Sequence, residues 1–209
     1  MLLKRTLKVA LLLALAAGTI AVGLARSGPV AGQGDADVAA KIESAMSAAP
    51  SAISEIATIL DNELDDAGKF VVLREGSNGW SCFPDVPSTP GNDPACYDQT
   101  WLDWNYAFVA QEEPNVTVPG LAYMLQGGSD ASNTDPFATE PAAGEEWVTS
   151  PAHIMLLLPG KLDQSVFSTE HHSGAPFIMW AGTPYEHIMM PVAEGERAEH
   201  EMPMGTPTA

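Results

Sequence analysis

The residue types best suited to chemistry occur in two copies of one tripeptide, His-Ile-Met. One copy begins at His153 in "SPAHIMLLLPG" and the other at His187 in "PYEHIMMPV". Residues i and i+2 of a strand share a face, so His153 would lie beside Met155 and His187 beside Met189. Two imidazoles and two thioethers that meet on neighbouring strands favour copper, above all Cu(I). The ordinary alternative is a pair of hydrogen-bonded histidines beside methionines that fill a core.

A long polar segment, "GGSDASNTDPFATEPAAGEEW", precedes the first tripeptide and is called here the polar loop (residues 127–147). Loops of this length are usually functional or disordered. Asp130, Asn133 and Asp135 lie close together in it and offer oxygen ligands that could hold Ca²⁺, although the spacing is not that of an EF-hand. Asx-turns explain the same residues without a metal. As a third alternative, these side chains form the polar wall of a small-molecule pocket together with the two histidines.

The usual catalytic signatures are missing from the sequence. It contains no Gly-x-Ser-x-Gly elbow, no glycine-rich phosphate loop ending in Lys-Ser/Thr, and no His-Glu-x-x-His. A hydrolase that uses His153 or His187 with Asp130 or Asp135 as acid and base stays an alternative. The sequence therefore leaves open whether the protein is an enzyme.

The histidines belong to apolar runs that predict strands. "HIMLLLP", "FIMWAG" and "HIMMPV" are apolar on both faces, which is typical of strands covered on both sides. No crossover of helix length separates them, so antiparallel pairing is favoured. A buried imidazole without a partner costs about 1–3 kcal/mol. We therefore expect both rings to point toward residues 128–136 of the polar loop, whose side chains would be their hydrogen-bond partners.

The remaining elements are predicted from periodicity and turn signals. Val38, Ile42 and Met46 fit one face of a short helix, whereas "SAISEIATILD" suits a helix or a strand. "KFVVLREGSNGWSCF" predicts a hairpin that turns at Asn-Gly. Asp98 can cap a helix, "QTWLDWNYAFVAQ", whose tryptophans would pack on a sheet or form a ligand platform.

Cysteine usage and the first residues indicate export. Cys82 and Cys96 bracket a loop with four prolines, and in an exported protein such a pair predicts a disulfide. Residues 1–25 have a basic start followed by an apolar stretch, which is typical of a secretory signal peptide cut after Ala25. The alternative is a retained membrane anchor, since the run approaches the roughly 20 residues that span a bilayer.

The charge balance argues against two classes of partner. The signal peptide would remove three of the nine basic residues, which leaves six against 27 acidic ones and a formal charge of −21. This charge repels nucleic-acid phosphates and anionic membrane surfaces. We expect no nucleic acid partner and no stable membrane insertion after cleavage, whereas a small molecule or a metal ion fits the charge.

Several segments resemble a family of uncharacterised exported bacterial proteins. They are "LREGSNGWSCFPD", "PGNDPACYD", "YMLQGGSDASNTDPFATEP" and "PYEHIMMPV", and the resemblance covers roughly Ala57 to Val192. It implies the domain limits and an exported setting, and it implies no activity.

Together these features predict an α+β protein with an antiparallel sheet, a few packed helices and one disulfide. Residues 1–25 form the signal peptide, 26–36 a flexible linker, 37–193 a single domain, and 194–209 a disordered acidic tail that is dispensable for folding. The expected location is periplasmic or secreted. The expected function is that of a binding or structural protein, with a copper-type metal-binding protein and a hydrolase as alternatives. Copper is the expected metal if one is bound, and calcium is less favoured.

Overall fold

The computed structural model describes residues 33–193, and within them the chain forms three helices and ten strands. In chain order these are α1 (Gln33–Met46), α2 (Ser51–Ser54), β1 (Thr58–Leu64), β2 (Phe70–Arg74), β3 (Ser81–Phe83), β4 (Ala95–Tyr97), α3 (Gln99–Ala110), β5 (Gly120–Met124), β6 (Gly128–Asp130), β7 (Val148–Ser150), β8 (His153–Leu157), β9 (Phe177–Met179) and β10 (His187–Pro191). The predicted signal peptide and acidic tail lie outside the described residues. Helix α1 includes residues 33–36, which were assigned to the linker.

Eight strands form one sheet in the order β2-β1-β3-β4-β5-β8-β10-β9, and β6 pairs with β7 in a small second sheet. Within the described residues β1 and β3 are the one parallel pair, and the other neighbours are antiparallel. The predicted α+β class is confirmed, and so is the antiparallel pairing of the last three strands. Within this part of the chain, no helix combines the length and apolar character needed to cross a bilayer.

The two longer helices cover opposite faces of the large sheet. Helix α1 packs with Ile42 and Met46 on the face that carries Ile59 and the cysteines. Helix α3 packs with Trp101 and Trp104 on the face that carries the methionines of β8, β9 and β10. The second face holds the candidate site.

The predicted hairpin at Asn-Gly is wrong, because β2 and β3 do not pair with each other but flank β1. The Asn78 amide nitrogen donates to the Ile53 carbonyl at 2.9 Å, and its oxygen accepts from the Trp80 amide at 3.1 Å. Gly76 packs so closely on the Ala57–Thr58 backbone that a Cβ atom would not fit. The segment therefore crosses the end of β1 and leaves β3 parallel to it.

The hairpin that does form joins β1 to β2. Its turn is closed by Asp65, whose carboxylate accepts from the Ala67 and Lys69 amides, each at 2.9 Å. The acidic residues Asp61 and Glu63 thus belong to strand β1. Asp61 lies within β1, is buried, and forms an ion pair of 2.7 Å with Lys41 of α1.

The disulfide prediction is confirmed, since Cys82 and Cys96 are bonded and lie directly opposite each other on β3 and β4. The proline-rich segment between them, residues 84–94, is called the disulfide loop, and it contains no helix or strand. Ser129 of β6 accepts a hydrogen bond from the Gly91 amide at 2.9 Å. The bond joins the disulfide loop to the polar loop beside the sheet.

Helix α3 begins where the sequence predicted. The Asp98 carboxylate accepts from the Trp101 amide at 2.9 Å and caps the helix. Its second oxygen accepts from the Leu121 amide of β5 at 2.6 Å. One side chain therefore caps the helix and fixes it to the sheet.

Candidate functional site

Strand register brings the two His-Ile-Met copies onto one face. Strands β8 and β10 are antiparallel neighbours in which Met155 lies opposite Met189 and His153 lies opposite Pro191. Directly opposed residues share a face, and so do residues i and i+2. His153, Met155, His187 and Met189 therefore all point to the side covered by α3, and their expected common face is confirmed.

The same register separates the two histidines along the strands. His153 is opposite Pro191, four residues beyond His187. Four residues of strand span about 13 Å. Met155 and Met189 lie side by side between them, so the backbone does not gather all four candidate ligands at one point.

The Nδ1 atom of each imidazole is hydrogen-bonded to the carbonyl two residues earlier in the chain. His153 Nδ1 lies 2.7 Å from the Pro151 oxygen, and His187 Nδ1 lies 3.0 Å from the Tyr185 oxygen. A carbonyl can only accept, so Nδ1 carries the hydrogen and Nε2 keeps a lone pair. The expectation that side chains of the polar loop would be the partners is wrong, because backbone at the start of each strand supplies the acceptor.

Both histidines are buried, with 1% and 2% of their surface exposed for His153 and His187. Desolvation lowers the pKa of His153, and it lowers the pKa of His187 to about 4. Both rings are therefore neutral at neutral pH. His187 Nε2 is then a hydrogen-bond acceptor or a metal ligand without first losing a proton.

Three tryptophans surround His187. The centroids of the Trp101, Trp104 and Trp180 rings lie 5.2, 5.8 and 5.1 Å from that of the imidazole, and all three pairs meet edge to face. The α3 tryptophans thus pack on the sheet, as one of the two sequence interpretations held. They also line a cavity, which the other interpretation required.

This cavity has a volume of about 570 Å³ and lies between α3, the polar loop and the face of the sheet that carries His187. Its aromatic walls are Tyr97, Trp101, Trp104, Phe108, Trp147 and Trp180. Four thioethers line it as well, those of Met124, Met155, Met179 and Met189. Of the two histidines that were expected to share a polar cleft, His187 alone is among the residues that line this cavity, and most of the cavity surface is apolar.

Three carboxyl groups belong to the polar part of the lining, together with hydroxyl groups, the Asn105 amide and His187. Asp130 stands at the end of β6, where burial, and then the neighbouring charge of Asp93, raise its pKa to about 7. Asp93 comes from the disulfide loop, and burial raises its pKa as well. The Thr89 hydroxyl donates to Asp93 at 2.6 Å and the Val86 amide at 3.2 Å. Asp135 of the polar loop is the third carboxyl group of the lining.

Turns within the polar loop help to hold it, and of the three residues that the Asx-turn interpretation concerned, Asp135 makes such a turn. The Ser132 hydroxyl accepts from the Thr134 and Asp135 amides at 3.1 and 3.0 Å, and the Asp135 carboxylate accepts from the Phe137 amide at 3.0 Å. The Asn133 side chain donates to the Thr169 carbonyl at 3.1 Å. Among residues 33–193, no three or more His, Cys, Asp or Glu side chains gather as a metal would require.

Trp180 fixes this loop to the sheet. Its backbone amide donates to the Asn133 carbonyl and its indole to the Ser132 carbonyl, each at 2.9 Å. Its φ of 55° lies in the left-handed region, which is costly for a bulky residue. Two hydrogen bonds to one loop hold the residue in this conformation, so the loop and the aromatic wall are positioned together.

His153 lies beside the cavity and is not part of its lining. A methyl group placed on Gly128 would be 3.0 Å from Met124 Cε and 3.6 Å from His153 Cε1, so the ring packs against bare backbone of β6. In the described part of the chain, its Nε2 is a buried atom without a hydrogen-bond partner, as are the Nε1 atoms of Trp101 and Trp104. A polar ligand atom or a water molecule would satisfy such atoms.

The sequence did not identify several lining residues. Asp93, Met179 and Trp180 reach the cavity from segments predicted as the disulfide loop or as ordinary strand, and Tyr97 and Met124 line it as well. The sequence did contain a signal for Asp93. A disulfide closes the loop that carries this residue, so the carboxylate must lie near the strands that carry the cysteines.

Comparison with known proteins does not extend this description. The chain matches no protein-family model, no curated protein and no solved structure.

Proposed function

We propose that the protein is an exported binding protein whose ligand is a small molecule held in the cavity beside His187. The observation that supports this most is the cavity itself. Its volume of about 570 Å³ is in the usual range for small-molecule sites. Its lining is mostly apolar, with aromatic and thioether side chains among several polar groups, which resembles the composition such sites usually have.

Binding is tested with a neutral fluorescent probe, N-phenyl-1-naphthylamine, whose emission rises in an apolar site. Ala131 is buried and lines the cavity, so Ala131→Leu reduces the free volume. Ala143 is exposed and outside the lining, so Ala143→Leu is the matched control. We expect saturable binding that is weakened at least about fivefold by the first change and not by the second, provided that both variants melt as cooperatively as the wild type. Equal binding by the two variants contradicts the proposal.

Export is proposed on the signal-like first 25 residues, the Cys82–Cys96 bond and the resemblance to exported proteins. Disulfides persist mainly in oxidising compartments such as the periplasm. The mature protein from a bacterial host should begin at Arg26 and be found outside the cytoplasm. An intact N-terminus in the membrane fraction would instead indicate a retained anchor.

Copper binding is a second candidate, because Met155 and Met189 are directly opposed and His187 lies two residues before Met189. These three line the cavity, and soft thioethers with an imidazole suit Cu(I). The test is Cu(I) transfer from a bicinchoninate complex. Met155→Leu with Met189→Leu keeps the volume nearly constant and should abolish any transfer. Undiminished transfer contradicts a site formed by these residues.

The hydrolase alternative draws less support from the geometry. Within residues 33–193 neither histidine is hydrogen-bonded to Asp130 or Asp135, and each Nδ1 is bonded to a carbonyl. An acid–base pair in direct contact is therefore not formed. The hydrolase alternative would gain support if the protein turned over ester or glycoside substrates and His187→Gln abolished that turnover.

A further inference from the structure

The charge of the cavity wall has one sign. Three carboxyl groups line it, those of Asp93, Asp130 and Asp135. Within residues 33–193, no lysine or arginine is part of the lining. Lys41, a cation on the opposite face of the sheet, is paired with Asp61. A ligand in the cavity therefore meets negative charge without a compensating positive side chain of the wall.

The aromatic part of the wall favours the same sign of ligand. Trp104, Phe108 and Trp180 lie nearly parallel, with interplanar angles of 3–5° and centroids 5.3–6.2 Å apart. Aromatic faces attract cations through their quadrupole, and tryptophan does so most strongly. His187 adds a neutral ring whose Nε2 lone pair can accept from an N–H group.

We infer that the cavity binds an organic cation, an ammonium group on an apolar body, with Asp130 as the principal counter-charge. The inference rests on the proposed binding function and names the chemical class of its ligand. An anion would face three carboxyl groups in a partly desolvated site, where like charges repel strongly. A neutral ligand would use the rings and leave the carboxyl groups unmatched.

The affinity of the cavity for a cation should depend on pH. Asp130 has a raised pKa of about 7, so its carboxylate, which attracts a cation, becomes predominant only above neutrality. The other titratable groups facing the cavity are Asp93, Asp135, Tyr97 and His187. The pKa of Asp93 is raised, which acts in the same direction, and that of Tyr97 is raised, which keeps the phenol neutral. His187, with a pKa of about 4, stays neutral too. Affinity should rise by up to about tenfold from pH 6 to pH 8.

The test compares three probes of similar shape by tryptophan fluorescence titration. They are benzyltrimethylammonium, its uncharged carbon isostere neopentylbenzene, and the anion benzenesulfonate. We expect the cation to bind at least about tenfold tighter than the isostere, as a desolvated cation–π contact allows, and the anion to bind most weakly. Asp130→Asn should remove most of this preference and its pH dependence while it leaves the affinity for the isostere within about twofold. Asp103→Asn, at an exposed position of α3, is the matched control.

The outcomes separate this inference from the function on which it rests. If the isostere and N-phenyl-1-naphthylamine bind but the cation has no advantage, the cationic ligand class is refuted and small-molecule binding stands. A preference that survives in Asp130→Asn refutes the assigned counter-charge. If none of the probes binds, both the ligand class and the proposed function fail.

Discussion

Replacing Asp130 by asparagine should stabilise the unliganded protein, and more strongly as the pH rises. The carboxyl group stands at the end of β6, and its pKa is raised from an ordinary 3.8 to about 7 because burial and Asp93 disfavour the charge. Asparagine has nearly the same shape and carries no charge. The substitution therefore removes the cost of ionisation and keeps the packing.

The sign follows from proton linkage. A carboxyl group whose pKa is higher in the folded protein holds its proton more tightly there than in the unfolded chain. Stability from this group is fully present below pH 4 and is lost as the pH rises from about 4 to 7. A difference of roughly 3 pH units corresponds to about 4 kcal/mol at most, at about 1.4 kcal/mol per unit. Contact with solvent in the cavity screens the charge, so we expect about 2 kcal/mol.

The assay is urea denaturation of the wild type and of Asp130→Asn at pH 4.5 and pH 8, with the free energies of unfolding subtracted at each pH. The subtraction cancels the titration of groups that do not interact with Asp130, whereas the repulsion between Asp130 and Asp93 is part of the measured difference. Asp130→Asn should be more stable by about 2 kcal/mol at pH 8 and nearly equal to the wild type at pH 4.5. Asp103→Asn, on the exposed side of α3, is the control for the loss of one charge. A stabilisation that does not depend on pH, or a destabilised variant at pH 8, would refute the reasoning.

Three further outcomes are expected. The His187 ring should stay neutral from pH 8 down to pH 5, because its pKa is lowered to about 4, and ¹⁵N chemical shifts should show hydrogen on Nδ1; a midpoint near 6.5 would contradict its burial. Reducing the Cys82–Cys96 bond should lower the free energy of unfolding by about 3 kcal/mol. Two free thiols found by mass spectrometry without reductant would contradict the presence of the bond. Asp98→Ala should cost about 2–3 kcal/mol in urea denaturation, since two backbone amides lose their acceptor, and Asp103→Ala on the same helix should cost under about 0.5 kcal/mol.

Sequence signals were sufficient to predict those features that depend on one or a few residues. The capping carboxylate of Asp98, the cysteine pair and the antiparallel pairing of the last strands were predicted from chemistry that acts over a few residues. The Asn-Gly hairpin failed because its turn signal competes with long-range contacts. Asn78 donates a hydrogen bond to the carbonyl of Ile53, twenty-five residues earlier, and no pattern in the segment around Asn78 predicts that partner.

The site was predicted only in part for a related reason. Strand periodicity gave the common face of the histidines and methionines, because it depends on the backbone alone. The wall opposite them comes from α3, the polar loop and the disulfide loop, and its assembly depends on contacts such as Gly91 to Ser129. Trp180 shows the limit most clearly, since its left-handed backbone is set by the polar loop some fifty residues away. A sequence window around it resembles ordinary strand.

The two His-Ile-Met copies differ in the surroundings of a single atom, Nε2 of the imidazole. At the start of a strand, the carbonyl two residues earlier is free to accept from Nδ1, so neither His153 nor His187 needs a loop side chain. Backbone carbonyls therefore supply the Nδ1 partners that were expected from side chains of the polar loop. The second ring nitrogen, Nε2, distinguishes the two residues. In His153 it is buried in a ring that packs beside Gly128, whereas the His187 ring lines the cavity. A ligand that uses an imidazole can reach His187 alone, so we expect His187→Gln to weaken the binding of a cation that carries an N–H group and His153→Gln to affect stability only.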